Sequence, residues 1–270
     1  MAGRLGRKLN LIRELALKDL KIRYSRPALG FLWAFLSPLL TVAIFYIVFG
    51  LILKVKTEEA PFVLYLMSGV FPWMFFQDSI FRSVTSLMDN KNLIKESNFP
   101  IYLIPISIVI TNGIIFLPSL SIVVFSSLII LKGLPIFIIL LPIVLMVHLV
   151  IAMLLAVIFS ILYVRWRDLK HILEAIFLLL FYLTPVFYPI SSLKGLFSDM
   201  FYNAYIYNPF VGILILYRAT LLKGFSGLVR SYAEFLPIIF VLMIFIITIS
   251  VVAVYLYRKN RGVINDYISY

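Results

Sequence analysis

LGRKLNLIRELALKDLKIRYSRPALGFLWAFLSPLLTVAIFYIVFGLIL, residues 5–53, changes physical regime at one point, and the fold of the whole chain follows from that change. Leu5, Leu9, Ile12, Ala16 and Leu20 recur at spacings of three and four, which places them on one side of a helix. Arg7, Glu14, Lys18 and Lys21 take the opposite side. A helix with a basic polar face lies in a membrane surface more comfortably than it crosses the bilayer. Ser25-Arg26-Pro27 breaks the pattern, because a residue before proline is pushed out of the helical region. Phe31 to Leu53 then carries no charge, a length of roughly 34 Å of helix against roughly 30 Å of hydrocarbon. The chain turns from lying on a membrane to spanning it.

Composition extends that reading to the rest of the chain. It is 63% hydrophobic and 13% charged, more apolar surface than a soluble interior can enclose. An all-α integral membrane protein is expected. The basic-then-apolar start differs from a signal peptide in its long apolar run, its polar lead and its lack of a small-residue cleavage site, so the first span is expected to be retained. The absence of cysteine excludes disulfides and thiolate metal sites.

Six spans are expected, at about 31–53, 61–84, 101–131, 136–164, 172–188 and 235–257, after an amphipathic segment over 1–27 and before a polar tail over 258–270. The second span carries Gly69, Pro72, Gln77, Asp78 and Arg82, so it should be kinked and face protein or water rather than lipid. Asp78 and Arg82, four residues apart, can form a structural ion pair or a transport-coupled proton site. Sixteen lysines and arginines fall on one side of this arrangement and seven on the other, which orients both termini to the cytoplasm. The net charge of +12 clusters at span ends, and so reads as attraction to anionic lipid rather than to nucleic acid.

The external connection over 191–234 contains a good helix start, Asn208-Pro209, with asparagine as cap and proline at the first helical position. The apolar run from Phe210 to Leu222 is too short to cross, so a re-entrant or interfacial helix is expected. The aromatic residues before it, Phe197, Phe201, Tyr202, Tyr205 and Tyr207, suit the same interface.

Chemistry-bearing motifs are sparse. There is no phosphate-binding loop, and Gly3 and Gly6 precede a surface helix instead of following a strand. Two histidines, His148 and His171, cannot supply a histidine metal site; His148 reads as a hydrogen-bonded group between helices or as a proton relay. Trp33, Tyr46, Phe71, Trp73, Phe75 and Phe76 cluster on the first two spans, either as belts and packing or as flat faces over which sugar rings slide. In the connection over 86–100, Leu93, Ile94 and Phe99 are expected to stand in water beside Lys91, Lys95 and Glu96, as a partner surface or a short helix on the bilayer.

Four segments in order, RYSRPALGFLWAFLSPLL at 23–40, GVFPWMFFQDSIFRSVTSLMDNKNLIKESNFP at 69–100, RDLKHILEAIFLLLFYLTPVFYP at 167–189 and NPF at 208–210, resemble the type-2 ABC exporter permeases for O-antigen and related polysaccharides. The resemblance implies a homodimer in the bacterial inner membrane, docked on two copies of a separate ATPase that holds ATP and Mg, and exporting a lipid-linked polysaccharide. It implies no enzyme activity and no cofactor in this chain. It assigns ATPase coupling to Asn90, Lys91, Asn92, Leu93, Ile94, Lys95, Glu96 and Phe99. The interface helix is carried by Ile12, Ala16, Lys18, Leu20 and Arg23, and an external gate by Asn208, Pro209 and Phe210. Teichoic-acid and capsule exporters look similar. A polytopic membrane enzyme on lipid-linked sugars would need external acids or bases, and the long connection offers only Asp199 and Glu234. A membrane scaffold would need neither a polar span nor a re-entrant helix.

Overall fold

The computed structural model describes residues 2–24, 30–57, 60–95, 99–193, 198–223, 225 and 232–269, with backbone alone at 2–5, 31, 199, 232–235 and 261–269. Among these residues all regular structure is helical. The basic N-terminal segment forms α1 (Ala2–Tyr24). The first apolar run forms α2 (Trp33–Phe45), which widens into a π-helical stretch over Tyr46–Ile52. The break at Ser25 to Pro27 lies outside the described residues.

The centre of the bundle is α3 (Phe62–Val84), whose side chains are buried on nearly every face. Around it pack α2, α6 (Leu103–Ile130), α7 (Leu141–Arg165), α8 (Leu169–Leu183) and α10 (Pro209–Leu221), while α11 (Tyr232–Ser269) lies along α7. Two short helices, α4 (Ser86–Asp89) and α5 (Lys91–Ile94), follow α3 at one end. At the opposite end α9 (Asp199–Ile206) leads into α10. One cluster of buried side chains runs through the bundle; a second joins Leu87 and Ile94 to Ile101, Ile104, Val157, Ile161 and Val164 under α4 and α5.

Among the described residues, four stretches are long and apolar enough to cross a bilayer: Trp33–Ile52, Leu103–Ile130, Ile136–Arg165 and Leu236–Asn260. The helix at the second expected span, α3, has 23 residues but is more polar and is enclosed by protein. At the fifth, α8 has 15 residues and stops at Leu183, short of the expected end at Tyr188. The cause is local: Thr184 precedes Pro185 and adopts an extended conformation, φ −92° and ψ 146°. Through the polar tail α11 continues as helix to Ser269.

Candidate functional site: a polar cavity beside the first helix

The apolar face of α1 does not rest on lipid alone but packs along α6. Ala16 is buried there and Ile12 and Leu20 are half-buried, whereas Lys18 faces out. Thr111 donates from Oγ1 to the Ala16 carbonyl at 3.3 Å. At the end of the helix, Arg23 donates from Nη1 to Asn112 Oδ1 at 2.7 Å and from Nη2 to Asp19 Oδ2 at 2.9 Å. Such charge-assisted bonds contribute about 1.5–3 kcal/mol each when their acceptors are buried. The last turn of α1 is thus tied to the middle of α6.

That tie closes one side of a cavity of about 330 Å³. Phe71, Met74, Phe75, Asp78 and Arg82 of α3 line it, at spacings that put them on one helical face. Asn112, Ile115, Phe116 and Ser119 of α6 form the facing wall, and Trp33, Ala34, Ser37 and Pro38 of α2 form the third. A second cavity of about 430 Å³ lies between α1, α4 and α6, lined among others by Lys18, Asp19, Asp89 and Asn90, and Arg82 borders both.

Asp78 and Arg82 do not form the ion pair that their spacing permits; the acid-base pair at this end is Asp19 with Arg23. Spacing alone does not hold a pair together, because fixing two long side chains costs entropy that an exposed contact barely offsets. Burial and then the positive charge of Arg82 both lower the pKa of Arg23, with Asp19 acting in the opposite sense.

The aromatic set divides. Trp33 is 44% exposed and Tyr46 is at 36%, but Phe71, Trp73, Phe75 and Phe76 are buried in the bundle. Phe75 stacks on Phe116 with centroids 5.1 Å apart, Phe76 contacts Phe177, and Trp73 donates from Nε1 to Gln77 Oε1 at 2.9 Å. Within this chain Trp73 and Phe76 are therefore packing, and Trp33, Phe71 and Phe75 are brought together at the cavity. His148 lies 3.3 Å from Tyr217 Oη and edge-on to Phe75, a hydrogen-bonded group between helices.

The connection over 86–100 corrects the sequence reading. Ile94 is 4% exposed and Phe99 is half-buried against the second core cluster, so neither stands in water. The short connection does have a core, supplied by α6 and α7, which a count of its own residues cannot reveal. Lys91, Asn92 and Lys95 face solvent, Leu93 is half-buried, and Asn90 donates from Nδ2 to the Ser86 carbonyl at 3.0 Å. Glu96 lies outside the described residues.

At the other end, the Phe210 N–H donates to Asn208 Oδ1 at 3.0 Å, the cap that Asn-Pro predicts. The helix that follows is buried from Val211 to Leu221, so its faces meet protein, and at 13 residues it is too short to cross. Phe210 touches Phe76 and Phe245. Phe201 and Tyr207 remain exposed; Phe197 lies outside the described residues. Arg218, one of the seven basic residues counted on the external side, is fully buried. Its guanidinium stacks 3.8 Å from the Tyr65 ring centroid and donates from Nη2 to the carbonyls of Pro185 and Val186. The signals were one arginine inside a short apolar run and, for Asn112, one amide inside an apolar span.

Comparison with known proteins fits this architecture. The chain is 30% identical over 262 residues to the O-antigen export system permease protein RfbA of Klebsiella pneumoniae, covering 97% of this chain and 96% of that one. The protein of that name from Myxococcus xanthus is 30% identical over 77% of this chain and 79% of its own. The polysialic acid transport protein KpsM of Escherichia coli matches locally, 29% identical over 82 residues, 30% of this chain and 32% of that one. The profile of the ABC-2 type transporter family matches residues 10–218, a span that contains both cavities and the Asn208 cap, and this multi-pass membrane chain belongs to that family.

Proposed function

We propose that this chain is the permease subunit of a transporter that moves a lipid-linked polysaccharide of the O-antigen type across the bacterial inner membrane, with ATP hydrolysed on a separate subunit. The observation that carries the proposal is the match to an O-antigen export permease over 97% of this chain and 96% of that one. Two copies of the chain form the conduit, consistent with the apolar face left open on α8, where Leu179 and Leu183 are exposed. The ATPase, holding ATP and Mg, sits under α1 and α5 on the cytoplasmic side, and Asn208, Pro209 and Phe210 belong to an external gate.

Coupling in this reading passes through the solvent-facing Lys91, Asn92 and Lys95, with Leu93 at the edge. A push on α5 reaches α6 and α7 through Ile94 and the second core cluster. Energy passes only if the ATPase binds this surface differently in two states. The local match to a polysialic acid transport protein favours a capsule polymer as the second reading of the cargo.

The test is complementation. In a strain whose O-antigen permease is deleted, this chain supplied with its ATPase should restore surface polymer and copurify with that ATPase. Copurification without any exported glycan would leave a permease of this family and remove the polysaccharide.

A further inference from the structure

The cavity between α1, α2, α3 and α6 has a lining suited to one kind of ligand. Two buried side-chain atoms of its wall residues lack an acceptor, Arg23 Nε and Asn112 Nδ2, and both are N–H groups. Asn112 is 4% exposed, so the missing acceptor is not bulk water. Arg82 adds an exposed guanidinium on the neighbouring face of α3, close enough for its charge to act on Arg23. A cation is disfavoured here, because the single carboxylate of the lining, Asp78, stands beside two guanidiniums. An apolar ligand would leave the donors unanswered. A phosphate group answers them with acceptor oxygens and relieves the repulsion between Arg23 and Arg82.

The rest of the lining says what the phosphate is attached to. Trp33 stands half-exposed at the wall, with Phe71 and Phe75 beneath, an apolar face suited to the C–H side of a sugar ring. Asp78 offers acceptors for sugar hydroxyls. Leu32, Leu36 and Leu40 run up the exposed side of α2 at spacings of four, a stripe along which an acyl or isoprenyl tail can leave toward the bilayer. About 330 Å³ lies at the small end of ligand pockets, enough for a headgroup and not for a polymer.

We propose that this cavity is a headgroup site for a glycosyl phosphate anchored on a membrane lipid, with Arg23, Arg82 and Asn112 holding the phosphate, Trp33 the first sugar, and the tail lying along α2. This deepens the polysaccharide-export reading and rests on it for the identity of the lipid. The site recognises the phosphate-sugar junction, which does not change with polymer length.

Binding is measured on the full-length permease in phosphatidylcholine nanodiscs, with a short-chain isoprenyl diphosphate bearing N-acetylglucosamine as the labelled probe. Arg82→Gln, an exposed substitution, should weaken binding about tenfold or more, the scale of one charge-assisted contact. Asn112→Asp keeps an acceptor for Arg23 while replacing a donor with a negative charge, and should abolish binding with the protein still monodisperse. Trp33→Ala should weaken the glycosylated probe and leave the sugar-free isoprenyl diphosphate unchanged. Arg167→Gln, an exposed cation outside the cavity, should bind as the unaltered protein does. Equal displacement of the probe by phosphatidylglycerol, or by inorganic pyrophosphate, would overturn the glycolipid assignment in favour of any acidic lipid or a free phosphate. Unchanged affinity in Arg82→Gln and Asn112→Asp would remove the site altogether. Polymer export that persists when both variants have lost the probe would refute the cavity's role and leave the export function standing, whereas probe binding by a chain that exports nothing would do the reverse.

Discussion

Gly69 sits where α3, the extended turn after α8 and the buried face of α10 meet. A Cβ there would collide with the Val186 carbonyl oxygen and come within 2.8 Å of Arg218 Nη2. The obstacle on one side is backbone, so it cannot rotate away. Gly69→Ala should therefore destabilise the permease by about 1–3 kcal/mol, the range of overpacked cores. Gly6, with open space around its Cβ position, is the control: alanine there removes helix-interior glycine and should be neutral or stabilising by about 0.5–1 kcal/mol. Thermal unfolding in detergent separates the two, and equal midpoints would mean the contact at Gly69 is not tight. The same junction explains Arg218. A cation this deep is tolerated because carbonyls freed at the end of α8 by Pro185 accept from it and Tyr65 stacks beneath it. Lysine keeps the charge but not the planar fork, so Arg218→Lys should lower the unfolding midpoint nearly as far as Arg218→Gln. A lysine variant as stable as the parent would show that charge alone is needed.

Elements differ in how much of them could be read from sequence. The Asn208-Pro209 start of α10 and the basic face of α1 were legible because each follows from chemistry within a few residues. The partners were not. Nothing within α1 says that its face meets Thr111 and Asn112 of α6, and nothing within residues 86–100 says that Ile94 joins a buried cluster with residues of α6 and α7. Exposure of a short apolar segment is a tertiary property, which the cluster under α5 supplies from residues about sixty positions away. The consequence is a sharper test of coupling. Ile94→Asp would bury a carboxylate and should lose folded protein, which says nothing about the ATPase. Lys91→Glu with Lys95→Glu alters only solvent-facing charges, and should leave membrane insertion and the unfolding midpoint unchanged while reducing ATPase copurification about tenfold. Normal copurification and normal export in that double variant would move the coupling surface to α1, where Lys18 is the exposed cation beside the second cavity.

Across the whole molecule the helices impose a polarity that charge counting alone could only suggest. Lys18 of α1, Asp89 of α4 and Asn90 between α4 and α5 line one cavity, so the N-terminal helix and the α4–α5 segment lie at the same end of the bundle. Following α6 from Leu103 and α7 back from Arg165 leads to the other end, where Ile136–Leu140 packs against α10. The basic residues segregate the same way, and Arg218 drops out of the minority side because it is enclosed, which steepens the asymmetry. The first end is therefore expected to be cytoplasmic. Because the chain has no cysteine, single replacements report cleanly on this. In intact cells a membrane-impermeant thiol reagent should label Ser198→Cys, an exposed position just before α9, and should reach Lys95→Cys only after the cells are opened. The reverse pattern would put α1, α5 and the cavity they flank on the outer face, beyond the reach of any ATP-hydrolysing partner, and the permease proposal would fall with the orientation.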